Sequence, residues 1–139
     1  MTAVASDYSV ALIALLLFVL LVLFQSALVG AAKAEAKLPP GSEPLADYGN
    51  PVYRLNRSHQ NGVEIMPAAG IALAAGIFAE ISPGVANWSM VVFLISQVMY
   101  VVVYAKQLGK KVQGLRTFVF VTGWAMVVLV CVLATGRLL

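Results

Sequence analysis

The chain has 139 residues, of which 61% are hydrophobic and only 11% are charged. A soluble domain carries about 25% charged residues, so this composition excludes an ordinary soluble protein and indicates a single membrane domain. The formal net charge of +3 is too small, and the basic residues are too scattered, for a nucleic-acid-binding protein. With one histidine and one cysteine in the chain, no His/Cys cluster with the spacing of a metal site occurs.

Four apolar segments approach or reach the length of about 20 residues that crosses a bilayer. We predict transmembrane helices over residues 9–32, 62–81, 87–104 and 115–135. The N-terminus lacks the positively charged stretch of a signal peptide, so the first segment is expected to be a retained helix. Residues 33–60 are polar and contain turn signals such as LPPGSEP, which predicts a long loop. The predicted fold class is therefore all-α, an integral membrane four-helix bundle.

The basic residues orient the predicted helices across the membrane. Eight of the nine lysines and arginines lie in or beside the first and third connections between helices, and they include the pair Lys110 and Lys111. In a four-helix chain these two connections lie on the same side, and the positive-inside rule makes that side cytoplasmic. We therefore predict a cytoplasmic loop at 33–60 and both termini outside the cytoplasm. The short termini favour a bacterial inner membrane.

Polar side chains follow one face of the chain where it enters the second apolar segment. Their spacing places them on one stripe of a helix, and they are Arg54, Arg57, Asn61 and Glu64. His59 lies on the same turns but points elsewhere. A carboxylate inside a membrane helix is costly, so Glu64 is expected to face protein and to pair with an arginine. An ion pair of this kind is also compatible with a purely structural role at the membrane boundary.

A second polar stripe lies on the third segment, and a cation lies at the start of the fourth. Gln97, Tyr100 and Tyr104 share one face of the third segment. A tyrosine near a helix end is often an interfacial residue, but Gln97 and Tyr100 lie deeper and need hydrogen-bond partners. Arg116 is compatible either with an orienting charge or with a site. The predicted topology gathers both stripes and Arg116 at the cytoplasmic side, which predicts a pocket for a small anionic ligand beside a lipophilic partner.

These motifs resemble those of a known family, the membrane-associated proteins in eicosanoid and glutathione metabolism (MAPEG). The stretch RLNRSHQNGVEIMP at 54–67 resembles the signature of that family, and YVVVY at 100–104, followed by LRTFVFVTG, resembles its third and fourth helices. The resemblance implies four-helix chains that assemble as homotrimers. It also implies glutathione as co-substrate, bound between neighbouring subunits at the cytoplasmic side, with lipophilic electrophiles or peroxides entering from the membrane lipid.

The resemblance also implies roles for individual residues. Arg116 matches the arginine that stabilises the glutathione thiolate, and it is the expected catalytic residue. Tyr100 and Tyr104 would add hydrogen bonds from the adjacent subunit. The remaining expected glutathione-binding residues are Arg54, Arg57, His59, Asn61 and Glu64. Two positions depart from the pattern of many glutathione-using members, since Gln97 stands in place of an arginine and Ile65 in place of a tyrosine.

Two functions are compatible with the sequence, and a third matches it poorly. The expected function is a membrane-embedded glutathione transferase or peroxidase in detoxification, which conjugates or reduces lipophilic substrates. The two departures favour instead a non-catalytic MAPEG-like protein that binds lipid or acts as an accessory subunit of a membrane complex. A small four-helix drug transporter would carry an essential glutamate inside its first helix, whereas the first helix here is uncharged and Glu64 lies at the edge of the second.

Overall fold

The computed structural model of the protein describes residues 6–109 and 114–139, and these residues form four long α-helices. The helices are α1 (Ser9–Glu35), α2 (Pro51–Phe78), α3 (Pro83–Ala105) and α4 (Leu115–Leu138). Each is long and apolar enough to cross a membrane, and no strand occurs within the described residues. The prediction of an all-α integral membrane four-helix bundle is therefore confirmed. Lys110 and Lys111 lie outside the described residues.

The second helix begins earlier than its hydropathy predicts. It starts at Pro51 rather than at residue 62, because Asn50 caps it and the Asn50 Oδ1 accepts a hydrogen bond from the Val52 N–H at 2.9 Å. Proline fits the first helical position, where its missing N–H costs no hydrogen bond. Part of the loop predicted at 33–60 is therefore helical, and the α1–α2 connection shortens to residues 36–50. The other three helices contain their predicted spans and extend beyond them by a few residues.

Helix α2 packs closely against its neighbours because small residues on it allow other helices to approach. It packs against α1, α3 and α4. A Cβ atom built on Gly62 would lie 2.9 Å from Val22 Cγ2 of α1, and one on Gly76 would lie 3.2 Å from Val130 Cγ1 of α4. Small residues favour such contacts in membranes, where van der Waals packing drives helix association. The polar start of α2 is thereby held between its neighbours.

Helix α1 presents a bulky face away from the bundle. Leu16, Leu20 and Leu23 are 60–62% exposed. On the other face Phe18 is buried, and its ring meets that of Phe93 edge-on with a centroid distance of 4.9 Å. The exposed leucines suit contact with lipid or with another apolar surface inside the membrane.

Polar contacts fasten the start of α1 to the α2–α3 turn and to the beginning of α3. The Asn87 Oδ1 accepts a hydrogen bond from the Ala11 N–H at 2.9 Å, and the Asn87 Nδ2 donates to the Asp7 carbonyl at 2.9 Å. The Tyr8 hydroxyl donates to the Ile81 carbonyl. Burial raises the pKa of Tyr8 above its ordinary value, and the carboxylates of Glu80 and Asp7 act in the same direction. These contacts fix the helices at the end of the bundle opposite to the polar start of α2.

Candidate functional site

A polar cleft opens at the end of the bundle where α2 and α4 begin and α3 ends. This inner cleft has a volume of about 210 Å³ and is lined by Arg57, Asn61, Tyr100, Tyr104, Arg116, Thr117 and Phe120. Three helices contribute to it, and most of its lining residues are among those that the sequence singles out. The packing of α3 and α4 against α2 brings together residues that lie far apart in the chain.

Arg57 and Glu64 form an ion pair along α2. The Arg57 Nη1 lies 3.0 Å from the Glu64 Oε1, about two turns further along the same helix. The arginine partner predicted for Glu64 is therefore present. The side chains are 34% and 61% exposed respectively, so neither charge is locked in the interior. A ligand that carries a carboxylate or an ammonium group can compete for either partner.

Asn61 lines the inner cleft and carries a buried hydrogen-bond donor that is unpaired within the described residues. The residue is 3% exposed, and its Nδ2 has no hydrogen-bond partner in the described part of the chain. Buried polar groups are almost always paired, and an unpaired one costs free energy. A carbonyl or carboxylate oxygen of a ligand in the cleft would supply the acceptor once the amide turns toward it.

Tyr100 and Tyr104 form the α3 wall of the inner cleft. Both are buried, and their ring centroids lie 4.7 Å apart. They line the same cleft as Arg57 and Asn61 of the same chain, whereas the family resemblance implies that they act on the site of an adjacent subunit. The two tyrosines reach the cleft of their own chain because α3 packs against α2.

Arg116 lines the inner cleft and contacts two tyrosine rings. Its Cζ is 4.7 Å from the centroid of the Tyr48 ring and 5.4 Å from that of the Tyr104 ring. A guanidinium at this distance from an aromatic face makes a cation–π contact. Sequence reasoning missed Tyr48, because the only signal around it is the turn motif YGNP. Its position depends on how the α1–α2 connection folds back over the helices.

Arg54 is engaged by the α1–α2 connection rather than by the inner cleft. Its Nη1 donates hydrogen bonds to the Tyr48 carbonyl at 2.7 Å and to the Gly49 carbonyl at 2.9 Å. Arg54 also lines a second, outer cleft of about 190 Å³, which shares Arg116 with the inner one. Although Arg54 lies on the predicted stripe, its guanidinium therefore turns back toward the loop.

An apolar cleft of about 190 Å³ adjoins the inner cleft. It lies further from the end of the bundle where α2 and α4 begin. It shares Asn61 and Phe120 with the inner cleft and is otherwise lined by Glu64, Ile65, Ala68 and Trp124. The two clefts together lead from charged residues at the start of α2 to apolar residues deeper along α2 and α4. Such a surface can hold a polar and a lipophilic molecule side by side.

Two residues considered from the sequence lie outside these clefts. His59 lines none of the three. Gln97 is 2% exposed and packs against α4, where a Cβ built on Gly123 would lie 2.8 Å from its Nε2. Gln97 shares a helical face with Tyr100, yet it lies behind the cleft wall because α4 approaches α3 closely at this glycine.

The architecture defines a multi-pass integral membrane protein with a polar cleft at one end of its helices and an apolar cleft beside it. The sequence matches the model of the MAPEG family over residues 10–136, and the chain belongs to this family. It is thus a membrane protein of the family that serves glutathione and eicosanoid metabolism. No curated protein matches the chain. Across residues 6–109 and 114–139, no group of three or more His, Cys, Asp or Glu side chains is placed to hold a metal ion.

Proposed function

We propose that this protein is a membrane-embedded glutathione transferase, which binds glutathione in the inner cleft and delivers its thiolate to a lipophilic electrophile. The observation that carries the proposal is the convergence of Arg57, Asn61 and Arg116 on one cleft beside an apolar one. Membership of the MAPEG family supports glutathione as the thiol. Glutathione acts as a co-substrate and is consumed in each turnover.

The groups around the inner cleft complement glutathione, which carries two carboxylates and one ammonium group. The Arg57 guanidinium offers the planar pair of donors that suits a carboxylate. Glu64, which pairs with Arg57 at 3.0 Å, offers an acceptor for the ammonium group. The unpaired Nδ2 of Asn61 suits a peptide carbonyl, and the hydroxyls of Tyr100 and Tyr104 add further hydrogen bonds.

Arg116 is the proposed catalytic residue because its charge favours the ionised thiol. A free thiol has a pKa of about 8.5, so little thiolate exists at neutral pH. A cation about 4 Å from the sulfur, at an effective dielectric constant near 20, is worth about 4 kcal/mol. Since one pKa unit corresponds to about 1.4 kcal/mol, half of that interaction brings the thiol pKa close to neutrality. The released proton passes to solvent.

The electrophile is proposed to enter through the apolar cleft, where Ile65, Ala68 and Trp124 meet Phe120 of the inner cleft. A lipophilic molecule held there lies beside the thiolate, and holding both reactants in place removes much of the entropic barrier. The sulfur forms a bond to the electrophilic carbon, and the leaving group departs with its electron pair. With a lipid hydroperoxide in the same place, two glutathione molecules would yield the alcohol, water and glutathione disulfide.

We further propose a homotrimer in a bacterial inner membrane, with the inner cleft on the cytoplasmic side and both termini outside. Arg54, Arg57 and Arg116 lie at the cleft end of their helices and Arg137 lies at the other end of α4, which supports this orientation through the positive-inside rule. The exposed leucine face of α1 offers an apolar surface that lipid or a neighbouring subunit would cover.

A non-catalytic role in lipid binding or as an accessory subunit is the second candidate. Ile65 and Gln97 stand where the family resemblance implies a tyrosine and an arginine. Ile65 lines the apolar cleft, and Gln97 packs against Gly123 behind the inner cleft. Neither residue offers glutathione a charged contact, so these two positions favour a cleft that accepts a lipophile alone.

Conjugation by the detergent-solubilised protein distinguishes the two candidates. The purified wild type is mixed with glutathione and a lipophilic aryl halide, and the thioether product is measured by chromatography. We expect turnover that Arg116→Ala lowers strongly at neutral pH, while Arg137→Ala, at the opposite end of α4, behaves as the wild type. Binding of the aryl halide without product, and without any dependence on glutathione, would contradict the transferase and support the second candidate.

A further inference from the structure

We propose that Tyr48, in the α1–α2 connection, is a positioning residue that holds the guanidinium of Arg116 at the inner cleft. The inference rests on the proposed function, because it concerns the residue that stabilises the thiolate. Tyr48 lines the outer cleft and is not among the residues that line the inner one. It therefore acts through Arg116 rather than by touching the thiol.

Two tyrosine rings contact the Arg116 guanidinium from adjacent directions. The distances from its Cζ are 4.7 Å to the Tyr48 centroid and 5.4 Å to the Tyr104 centroid. The two rings lie 6.1 Å apart and are inclined by 49°, so they form the two sides of a notch that holds the cation. The ring quadrupoles attract the guanidinium, and its planar shape restricts how it can turn against them.

Arg116 borders two clefts, and its orientation decides which of them receives its charge. It lines the inner cleft together with Arg57 and the outer cleft together with Arg54. Tyr104 contacts it from the inner cleft, and Tyr48 contacts it from the outer one. Removal of the Tyr48 ring would take away one of the contacts that set this orientation and would open space on the outer-cleft side of the guanidinium.

Tyr48 can position Arg116 only if its loop is held still, and three hydrogen bonds hold the loop. The Arg54 Nη1 donates to the Tyr48 carbonyl at 2.7 Å and to the Gly49 carbonyl at 2.9 Å. The Gln107 Nε2, just beyond α3, donates to the same Tyr48 carbonyl at 2.8 Å. The Tyr53 ring packs edge-on against the Tyr48 ring, with centroids 5.3 Å apart. Contacts from α2 and from the end of α3 thus fix a surface segment of a kind that is usually mobile.

The test compares Tyr48→Leu, which removes the aromatic face, with Tyr48→Phe, which keeps it. Protein-bound glutathione is titrated with pH, and the thiolate is followed by its ultraviolet absorbance. We expect Tyr48→Leu to raise the pKa of the bound thiol and to lower kcat/KM at neutral pH by roughly 2- to 30-fold, the range that a cation–π contact spans. Tyr48→Phe keeps the ring and loses only the hydroxyl that meets Tyr53 and Tyr104, so its values should stay much closer to those of the wild type than the values of Tyr48→Leu do.

Binding of S-methylglutathione separates positioning from damage to the fold, because this ligand carries the peptide but no ionisable thiol. Loss of positioning leaves its affinity unchanged, whereas a collapsed cleft loses it together with the thiolate. An unchanged thiol pKa in Tyr48→Leu, or an equal loss of S-methylglutathione binding, would overturn the inference and leave the transferase proposal intact. Absence of bound thiolate in the wild type would overturn the proposed function and the inference with it.

Discussion

The side chains of Arg57 and Glu64, seven residues apart on α2, meet with the arginine Nη1 3.0 Å from the glutamate Oε1. The contact neutralises two charges where the helix enters its apolar part, which lowers the cost of placing them there. It also holds both groups beside Asn61, which lines the inner and the apolar cleft. The pair can therefore serve the packing of the helix and the binding of a ligand.

Replacing Glu64 with glutamine tests which of these two roles dominates. Exposed ion pairs contribute at most about 1 kcal/mol, so Glu64→Gln should change the free energy of unfolding by less than that. Glutathione affinity should fall by roughly tenfold, since the ligand ammonium loses a charged hydrogen bond. Thermal unfolding and calorimetry measure the two effects. Lost stability with unchanged glutathione affinity would show that the pair is structural only.

Asn61→Leu should preserve or strengthen the fold while it weakens the site. The change removes a buried donor that has no partner among the described residues, so the free energy of unfolding should stay equal or rise by about 1 kcal/mol. Glutathione affinity should fall, because the ligand loses that donor. Thermal unfolding measures the change in stability, and calorimetry of the same sample measures the change in glutathione affinity.

Gln97→Met is the matched control for Asn61→Leu. The Gln97 Nε2 is also buried and unpaired within residues 6–109 and 114–139, but Gln97 lies outside the residues that line the inner cleft. Its replacement should have the same effect on stability and none on glutathione affinity. If both variants kept wild-type affinity, the proposed placement of the ligand against Asn61 would be wrong.

Two glycines of α2 test the close packing that holds the helix in place. A Cβ on Gly62 would lie 2.9 Å from Val22 Cγ2, whereas nothing lies within 4 Å of one on Gly70. Alanine is the better helix former, so Gly70→Ala should be neutral or stabilising by up to about 1 kcal/mol. Gly62→Ala should be less stable than Gly70→Ala by roughly 1–3 kcal/mol, because valine is stiff and the site is overpacked. Equal melting temperatures in detergent would contradict the packing of α1 on α2.

Arg116 should set the pH at which conjugation begins. Below the pKa of the thiol the nucleophile is protonated and inactive, so kcat/KM rises as pH passes through that pKa. A nearby cation lowers the thiol pKa, and Arg116→Ala should therefore move the rise to higher pH, toward about 8.5. Arg116→Lys should lie between the two, since it keeps the charge but loses the planar stacking. If kcat/KM of the wild type and of Arg116→Ala depended on pH in the same way, Arg116 would not be the residue that stabilises the thiolate.

The helical spacing of polar residues predicts much of the candidate site. A period of 3.6 residues places Arg57 and Asn61 on one face of α2, and both line the inner cleft. The same reasoning places Tyr100 and Tyr104 on one face of α3, and they line that cleft as well. Helix geometry is local, so spacing alone is enough to put these side chains on common faces.

Contacts between distant parts of the chain could not be predicted in this way. Tyr48 reaches Arg116 only because the α1–α2 connection folds back over the helix ends. Arg54 shares a stripe with Arg57, yet it donates to loop carbonyls that the same fold brings within reach. The hydropathy pattern also failed to predict the first turns of α2. Their residues are polar and therefore indicate a loop by hydropathy, although Asn50 caps a helix there.

Calorimetry of glutathione binding to the detergent-solubilised protein tests the central claim most directly. The wild type is measured beside Arg57→Ala, which alters the inner cleft, and Arg137→Ala, which removes a basic residue at the other end of the helices. We predict that the wild type and Arg137→Ala bind glutathione alike and that Arg57→Ala weakens binding by roughly tenfold or more. A wild type that binds no glutathione, or an Arg57→Ala variant with wild-type affinity, would contradict the account.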